Sequence, residues 1–301
     1  HMQALLEEGM QAGAIGMSSG LVYVPGTFAK TPELVELAKV AAKYGGIYTS
    51  HIRNESVGLL GAVAEAIEIG EQSGCPVQLS HHKAGGAPAY GLTKQSLPLI
   101  AEARARGVDV TIDVYPYVAS SSGLAAMFRL GGDAAFEAAP AIIGSVKYNH
   151  EKYEGRYISD IAADLDLSIG DAVRKILHDE DNSPSVIMFI MDEADVRRVV
   201  MDAHAMIGSD GLPSGGKPHP RLYGTMARVL EKYVREEGVL PLEEAVRKMT
   251  SLPARKHLLR DRGVLQPGAF ADIVVFDPQT IADIATYTEP RQYPAGIQHV
   301  V

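Results

Sequence analysis

Cysteine is all but missing from this chain. Cys75 is the single one in 301 residues, so no internal disulfide can staple the fold and an apolar core must hold it. There is no run of 18 apolar residues and no cleavable leader, which argues against a membrane span and points to a cytoplasmic protein. Basic runs are short and the formal net charge is −9, so neither nucleic acid nor an anionic membrane is an expected partner. Phosphate-cradling glycine loops, GxGxxG or GxxxxGK followed by Ser or Thr, come after none of the strand-like runs. Their absence removes the usual reason to expect a doubly wound nucleotide-binding sheet.

Apolar residues are plentiful, at 46% of the total, enough for one large barrel or two ordinary domains. From residue 5 to about 115, amphipathic helical stretches alternate with short apolar runs. Residues 33–43 place Leu34, Leu37, Ala38 and Ala41 on one face, with Thr31 as N-cap and Pro32 opening the helix. Gly45-Gly46 stops that helix before a strand at 47–50; helices at 58–72 and 95–106 then lead to strands at 77–80 and 108–114. The repeat, with its nearly continuous apolar strands, predicts an α/β class with a parallel sheet. Between 120 and 202 the repeat is lost, which reads as an insertion with helices near 158–165 and 170–179 and an apolar run at 186–191. Helices near 225–237 and 242–250 follow, and turn residues in 263–278 are spaced like a small β-structure.

Three strand-like runs end on residues that can hold or serve a metal: 47–50 on His51, 77–80 on His81, and 206–209 on Asp210. In a parallel barrel, residues just past the strands converge at the carboxyl face however far apart they lie in sequence. Each has a plainer reading as well. A histidine beside a polar loop is often only hydrogen-bonded, and Asp210 could cap the segment that follows. His81 and His82 are adjacent and face opposite ways, and His81 stands in the same strand-end position as His51. Cys75 precedes its strand, at the far end of the sheet, and reads as a small buried hydrophobe. A catalytic zinc usually takes three protein ligands and leaves one position for water, so two histidines are one ligand short.

Gly16-Met17-Ser18-Ser19-Gly20-Leu21, Ser50-His51-Ile52-Arg53, Ser80-His81-His82-Lys83, Asp113-Val114-Tyr115-Pro116-Tyr117 and Gly208-Ser209-Asp210-Gly211 together resemble signatures of the D-aminoacylase, or N-acyl-D-amino-acid deacylase, family of the amidohydrolase superfamily. So do Pro218-His219-Pro220-Arg221, Met249-Thr250-Ser251-Leu252-Pro253-Ala254, and the tail from Pro267 to Asp277. The likeness implies a (β/α)8 TIM-like barrel, incomplete at its N-terminus, over residues 3–262 with an insertion or lid at about 120–202, and part of a small β-sandwich over 263–301. It implies zinc, one or two ions, with His51 and His81 as metal ligands and Asp210 as general acid and base. Lys83, Tyr115, Ser121 and Arg221 would hold the α-carboxylate of a small N-acyl-D-amino acid, two cations and two hydroxyls around one anion.

The same family carries a His-x-His pair on its first barrel strand and a bridging cysteine on a later one. Nothing in residues 2–10 replaces them. His1-Met2 reads as a remnant of cloning, so the natural chain is expected to begin elsewhere, and an N-terminal complementary segment, or a homo-oligomer, is the expected partner. The alternatives are a related cyclic-amide or dipeptide hydrolase, whose site need not have all four carboxylate-binding groups, and an inactive fragment acting as a binding or structural subunit.

Overall fold

The βα repeat builds five short parallel strands in a computed structural model that describes residues 1–301. They are β1 (Gly16–Gly20), β2 (Ile47–His51), β3 (Val77–Leu79) and β4 (Val110–Val114), then, beyond the insertion strands β5 (Ser120–Gly123), β6 (Ala141–Ser145) and β7 (Ser185–Met188), the fifth parallel strand β8 (Ala205–Ile207). The sheet order is β1-β2-β3-β4-β8, so β4 pairs with β8 across the whole insertion. Tyr48, Val77 and Val110 share one register level, and Leu79, Ile112 and Ala205 another, all fully buried. Helices 31–43, 59–73 and 93–105 cover the sheet and complete one core with it.

β1 has no apolar run to announce it. Its sequence, Gly-Met-Ser-Ser-Gly, is a poor strand former. Close approach to β2 decides the matter: a Cβ on Gly16 would lie 2.1 Å from the carbonyl oxygen of Ile47, so only glycine fits there.

The first long helix, Thr31–Lys43, departs from expectation at its start. Lys30 holds the N-cap position without a side-chain bond, while the Thr31 hydroxyl donates to Glu65 Oε1 at 2.8 Å. A bond to an ionised carboxylate outcompetes a neutral capping bond. Val35 is buried on this helix and Leu37 only half so. The next helix, Leu59–Ser73, stops at Gly74, whose φ of 68° is the left-handed conformation a helix C-terminus favours.

The insertion forms an antiparallel sheet in the order β5-β7-β6 with four helices, Leu124–Ala138, His150–Tyr153, Ile158–Asp164 and Ile169–Asp179. It has its own core around Leu124, Phe136, Ile143, Tyr153, Val173 and Ile176. It is tied by backbone bonds to the loops after β3 and β4, Gly86 N–H donating to Ile190 O at 2.7 Å and Met191 N–H to Val118 O at 3.0 Å. After β8, an α-helix at Arg221–Arg228 runs on into π-helical turns at Val229–Glu236. Helices Leu242–Met249 and Ser251–Lys256 follow, then the antiparallel pair β9 (Val274–Phe276) and β10 (Ile297–Val300). No helix is long and apolar enough to cross a membrane.

Candidate active site

His51 is the last residue of β2, and His81 stands two residues beyond β3, on the same edge of the sheet. A left-handed turn at His81, with φ 39°, swings its ring inward. Asp113 of β4 holds that turn, one carboxylate oxygen accepting His81 N–H at 2.7 Å and the other Gln78 Nε2 at 2.8 Å. His81 Nε2 and His51 Nδ1 then meet in direct contact, with ring centroids 4.3 Å apart. Burial, reinforced by neighbouring His81, pushes the His51 pKa down, so its imidazole is neutral at pH 7. His82 turns the other way and bonds Ser96 Oγ through Nε2 at 2.8 Å.

Two imidazole nitrogens converging from adjacent strand ends fit two of the ligands of a zinc ion. No group of three or more His, Cys, Asp or Glu side chains comes together in metal-holding geometry. The pair could therefore supply two of the three protein ligands that a catalytic zinc ordinarily takes. Cys75 lies at the opposite end of its strand with its thiol against Gly46 O, and burial pushes its pKa up to about 11.

Asp210 caps no helix. The chain reaches it in a left-handed turn, φ 47°, and its Oδ2 lies 2.8 Å from Arg221 Nη2. Arg221 is 2% exposed, and its guanidinium lies over the Tyr115 ring with Cζ 4.4 Å from the ring centroid. Nη2 also donates to the carbonyl of Ser121 at 3.3 Å, while Nε and Nη1 have no partner in the protein. His219 aims this arginine: its Nδ1 accepts Arg221 N–H at 2.9 Å and its Nε2 donates to Ala119 O at 3.0 Å. Burial holds the His219 pKa well below the usual range, consistent with that neutral tautomer.

Of the four residues expected around a carboxylate, three side chains lie together. Lys83 Nζ is 5.7 Å from the centroid of the Tyr115 ring that Arg221 covers on one face. Burial raises the Tyr115 pKa far above the ordinary phenol value, so it carries a neutral hydroxyl. Ser121 differs from expectation, since its bond to this cluster runs through its backbone carbonyl to Arg221.

Sequence reasoning missed one member, Glu55. Its Oε1 lies 2.8 Å from Lys83 Nζ and 2.7 Å from His81 Nδ1. Burial would raise its pKa, but Lys83 and His81 outweigh it and hold the carboxyl well below the usual range. The loop that presents it is stiff: Asn54 Oδ1 accepts Ser56 N–H at 2.8 Å and Gly58 N–H at 3.0 Å. Arg53 ties the same loop to Glu65, Thr27 O and Ala29 O. The charged turn Arg53-Asn54-Glu55 after His51 was the visible signal, but the pairing of Glu55 with His81 and Lys83 was not.

Comparison with known proteins identifies the chain's relatives. The model of the amidohydrolase family matches residues 33–301. The chain is 44% identical over 299 residues to D-aminoacylase of Alcaligenes xylosoxydans xylosoxydans, covering 99% of this chain and 59% of that protein. It is 42% identical over 304 residues to N-acyl-D-glutamate deacylase of the same organism, covering 100% and 59%. The crystal structure of N-acyl-D-glutamate deacylase from Bordetella bronchiseptica, complexed with zinc and a phosphonate mimic of the tetrahedral intermediate, matches with a TM-score of 0.92 and 42% identity, covering 100% of this chain and 61% of that one. The chain thus spans about three-fifths of the length of the curated relatives it matches.

Proposed function

The chain belongs to the amidohydrolase family, and from that premise we propose that it serves the zinc-dependent hydrolysis of N-acyl-D-amino acids to a carboxylate and a D-amino acid. The observation that carries this reading is the buried Arg221 guanidinium with two unpartnered nitrogens, set beside Lys83, Tyr115 and the Asp210 carboxylate. Unpartnered N–H groups on a buried cation are costly unless an anion takes them. The α-carboxylate of an N-acyl amino acid is such an anion, and the D-aminoacylase and N-acyl-D-glutamate deacylase relatives are named for substrates of that kind.

His51 Nδ1 and His81 Nε2 are the two ligands this chain offers to the zinc. The ion supplies Lewis acidity at the amide carbonyl. Arg221, Lys83 and Tyr115 hold the substrate carboxylate on one side of that point, so the bound amide faces the histidine pair. Asp210 takes the proton of the attacking water and later delivers it to the leaving nitrogen. Anchoring the carboxylate at one place and the amide at another leaves a handed space for the third substituent, which selects the D form. The five parallel strands are, in this reading, consecutive strands of a closed barrel, whose carboxyl face carries the site.

The test is zinc analysis paired with hydrolysis of N-acetyl-D- and N-acetyl-L-amino acids. The expected result is bound zinc and cleavage of the D form. Zinc with no cleavage of either form would refute the activity, and preference for the L form would refute the stereochemistry. Asp210→Asn should keep its zinc while kcat falls by about 100-fold or more.

A further inference from the structure

We propose that Glu55 is a positioning residue that couples the metal half of the site to its carboxylate half. The inference rests on the hydrolase reading above and adds to it a residue that neither the metal nor the substrate touches. One oxygen, Glu55 Oε1, lies 2.7 Å from His81 Nδ1 and 2.8 Å from Lys83 Nζ. His81 Nδ1 and Lys83 Nζ are themselves 2.6 Å apart. The three groups are largely withdrawn from water, the Glu55 side chain being 22% exposed and those of His81 and Lys83 less than half of that. Asn54 and Arg53 fix the loop below, and Glu55 O accepts Gly85 N–H at 2.7 Å, so the carboxylate is placed by backbone as well as by charge.

The triangle forces a choice on the imidazole. His81 Nδ1 can accept from the Lys83 ammonium or donate to the Glu55 carboxylate, but a single nitrogen cannot do both. An imidazole that gives Nε2 to a metal carries its proton on Nδ1, and a carboxylate there fixes ring and tautomer. Glu55 is the acceptor so placed. With Nδ1 protonated, Lys83 loses the ring as an acceptor and keeps Glu55, and its remaining N–H groups are free for a substrate carboxylate beside Tyr115. The same oxygen therefore presents His81 to the metal and frees Lys83 for the substrate. A carboxylate acting only as a buried counter-ion would affect stability without selecting a tautomer.

Without Glu55 the lysine takes over Nδ1, which moves the ring proton to Nε2, where it blocks the metal. The experiment compares the protein with Glu55→Ala, Glu55→Gln and Glu55→Asp by nitrogen-15 shifts of the His81 ring, zinc competition against a chromogenic chelator, and kinetics. The zinc-free parent should carry its His81 proton on Nδ1, and Glu55→Ala on Nε2. Zinc affinity should fall about 10–100-fold in Glu55→Ala, less in Glu55→Gln, and recover in part in Glu55→Asp. KM should rise for an N-acetyl-D-amino acid and stay unchanged for its primary amide, which lacks the carboxylate. Glu55→Gln keeps the shape of the side chain and serves if the alanine protein does not fold. A parent with the proton on Nε2, or alanine and glutamine proteins whose zinc affinity stays within about twofold of the parent, would overturn the proposal. A parent that binds zinc but cleaves neither enantiomer refutes the hydrolase reading instead, and the tautomer and zinc measurements then decide Glu55 on their own.

Discussion

Replacing Arg221 by methionine should separate stability from activity. The guanidinium is 2% exposed, bonded through Nη2 to Asp210 at 2.8 Å and to Ser121 O at 3.3 Å, and stacked on Tyr115. Removing one partner of a fully buried ion pair costs about 3–5 kcal/mol. Here the Asp210 side chain is 31% exposed, so water can rehydrate the carboxylate, and the loss falls toward the roughly 1 kcal/mol of a wet pair. Losing the cation over the tyrosine face adds about 1 kcal/mol. Against these, the substitution removes the two buried nitrogens, Nε and Nη1, that have no partner, each a penalty of about 1–3 kcal/mol. The relief at least offsets the losses, and urea unfolding should find Arg221→Met no more than about 2 kcal/mol less stable than the parent. Substrate binding has no such offset. A hydrogen bond to a charged group contributes about 1.5–3 kcal/mol, so kcat/KM for an N-acetyl-D-amino acid should fall about 10–150-fold. The primary amide of the same substrate acts as the control: a loss common to both reports the disturbed Asp210, and the excess loss on the acid reports the carboxylate contact. Equal losses on acid and amide, with more than about 3 kcal/mol of destabilisation, would show that Arg221 is structural and sink the reasoning.

Three further outcomes follow from the same geometry. His51→Ala and His81→Ala should each lose zinc under chelator competition by more than the about 10–100-fold expected for an outer partner, with the thermal midpoint of the zinc-free protein changed little. His82 is buried with its pKa pushed down to about 4 from 6.5, so the unfolded chain binds a proton that the fold refuses between those values. Stability is thus full above about pH 6.5 and falls by about 3 kcal/mol as the pH drops to 4, and His82→Gln should flatten that acid limb in urea titrations. Lys248 is fully buried, bonded to Asp202 O and Ala205 O, with its pKa lowered by burial to about 8 from 10.5. The folded state sheds this proton first, so stability should rise with pH from about 8 to 10.5 by about 3 kcal/mol relative to Lys248→Met, measured as the difference between the two proteins.

Much of the site could be read from the chain because the βα repeat does the placing. His51 ends β2, and His81 and Asp210 lie two and three residues past β3 and β8; apolar runs mark these strands, and parallel strands bring such positions together. Some contacts were hidden because the partners lie far apart in sequence. Ser121 and Arg221 are a hundred residues apart and meet through a carbonyl that residue type cannot reveal. Thr31 had the sequence of a cap, but Glu65 offered its hydroxyl a charged acceptor. β1 escaped notice because its Gly-Met-Ser-Ser-Gly run forms a strand only where β2 accepts a backbone without a Cβ.

Amino-acid order alone determined the class of fold, the βα period and which residues stand at or just past strand ends, since these depend on local propensity and hydrophobic spacing. Tertiary structure alone decided which of those residues share protons and charge: His81 with Glu55 and Lys83, and Asp210 with Arg221. Propensity acts over a few residues, whereas a hydrogen bond depends on distances of about 3 Å between groups that only the folded sheet brings together.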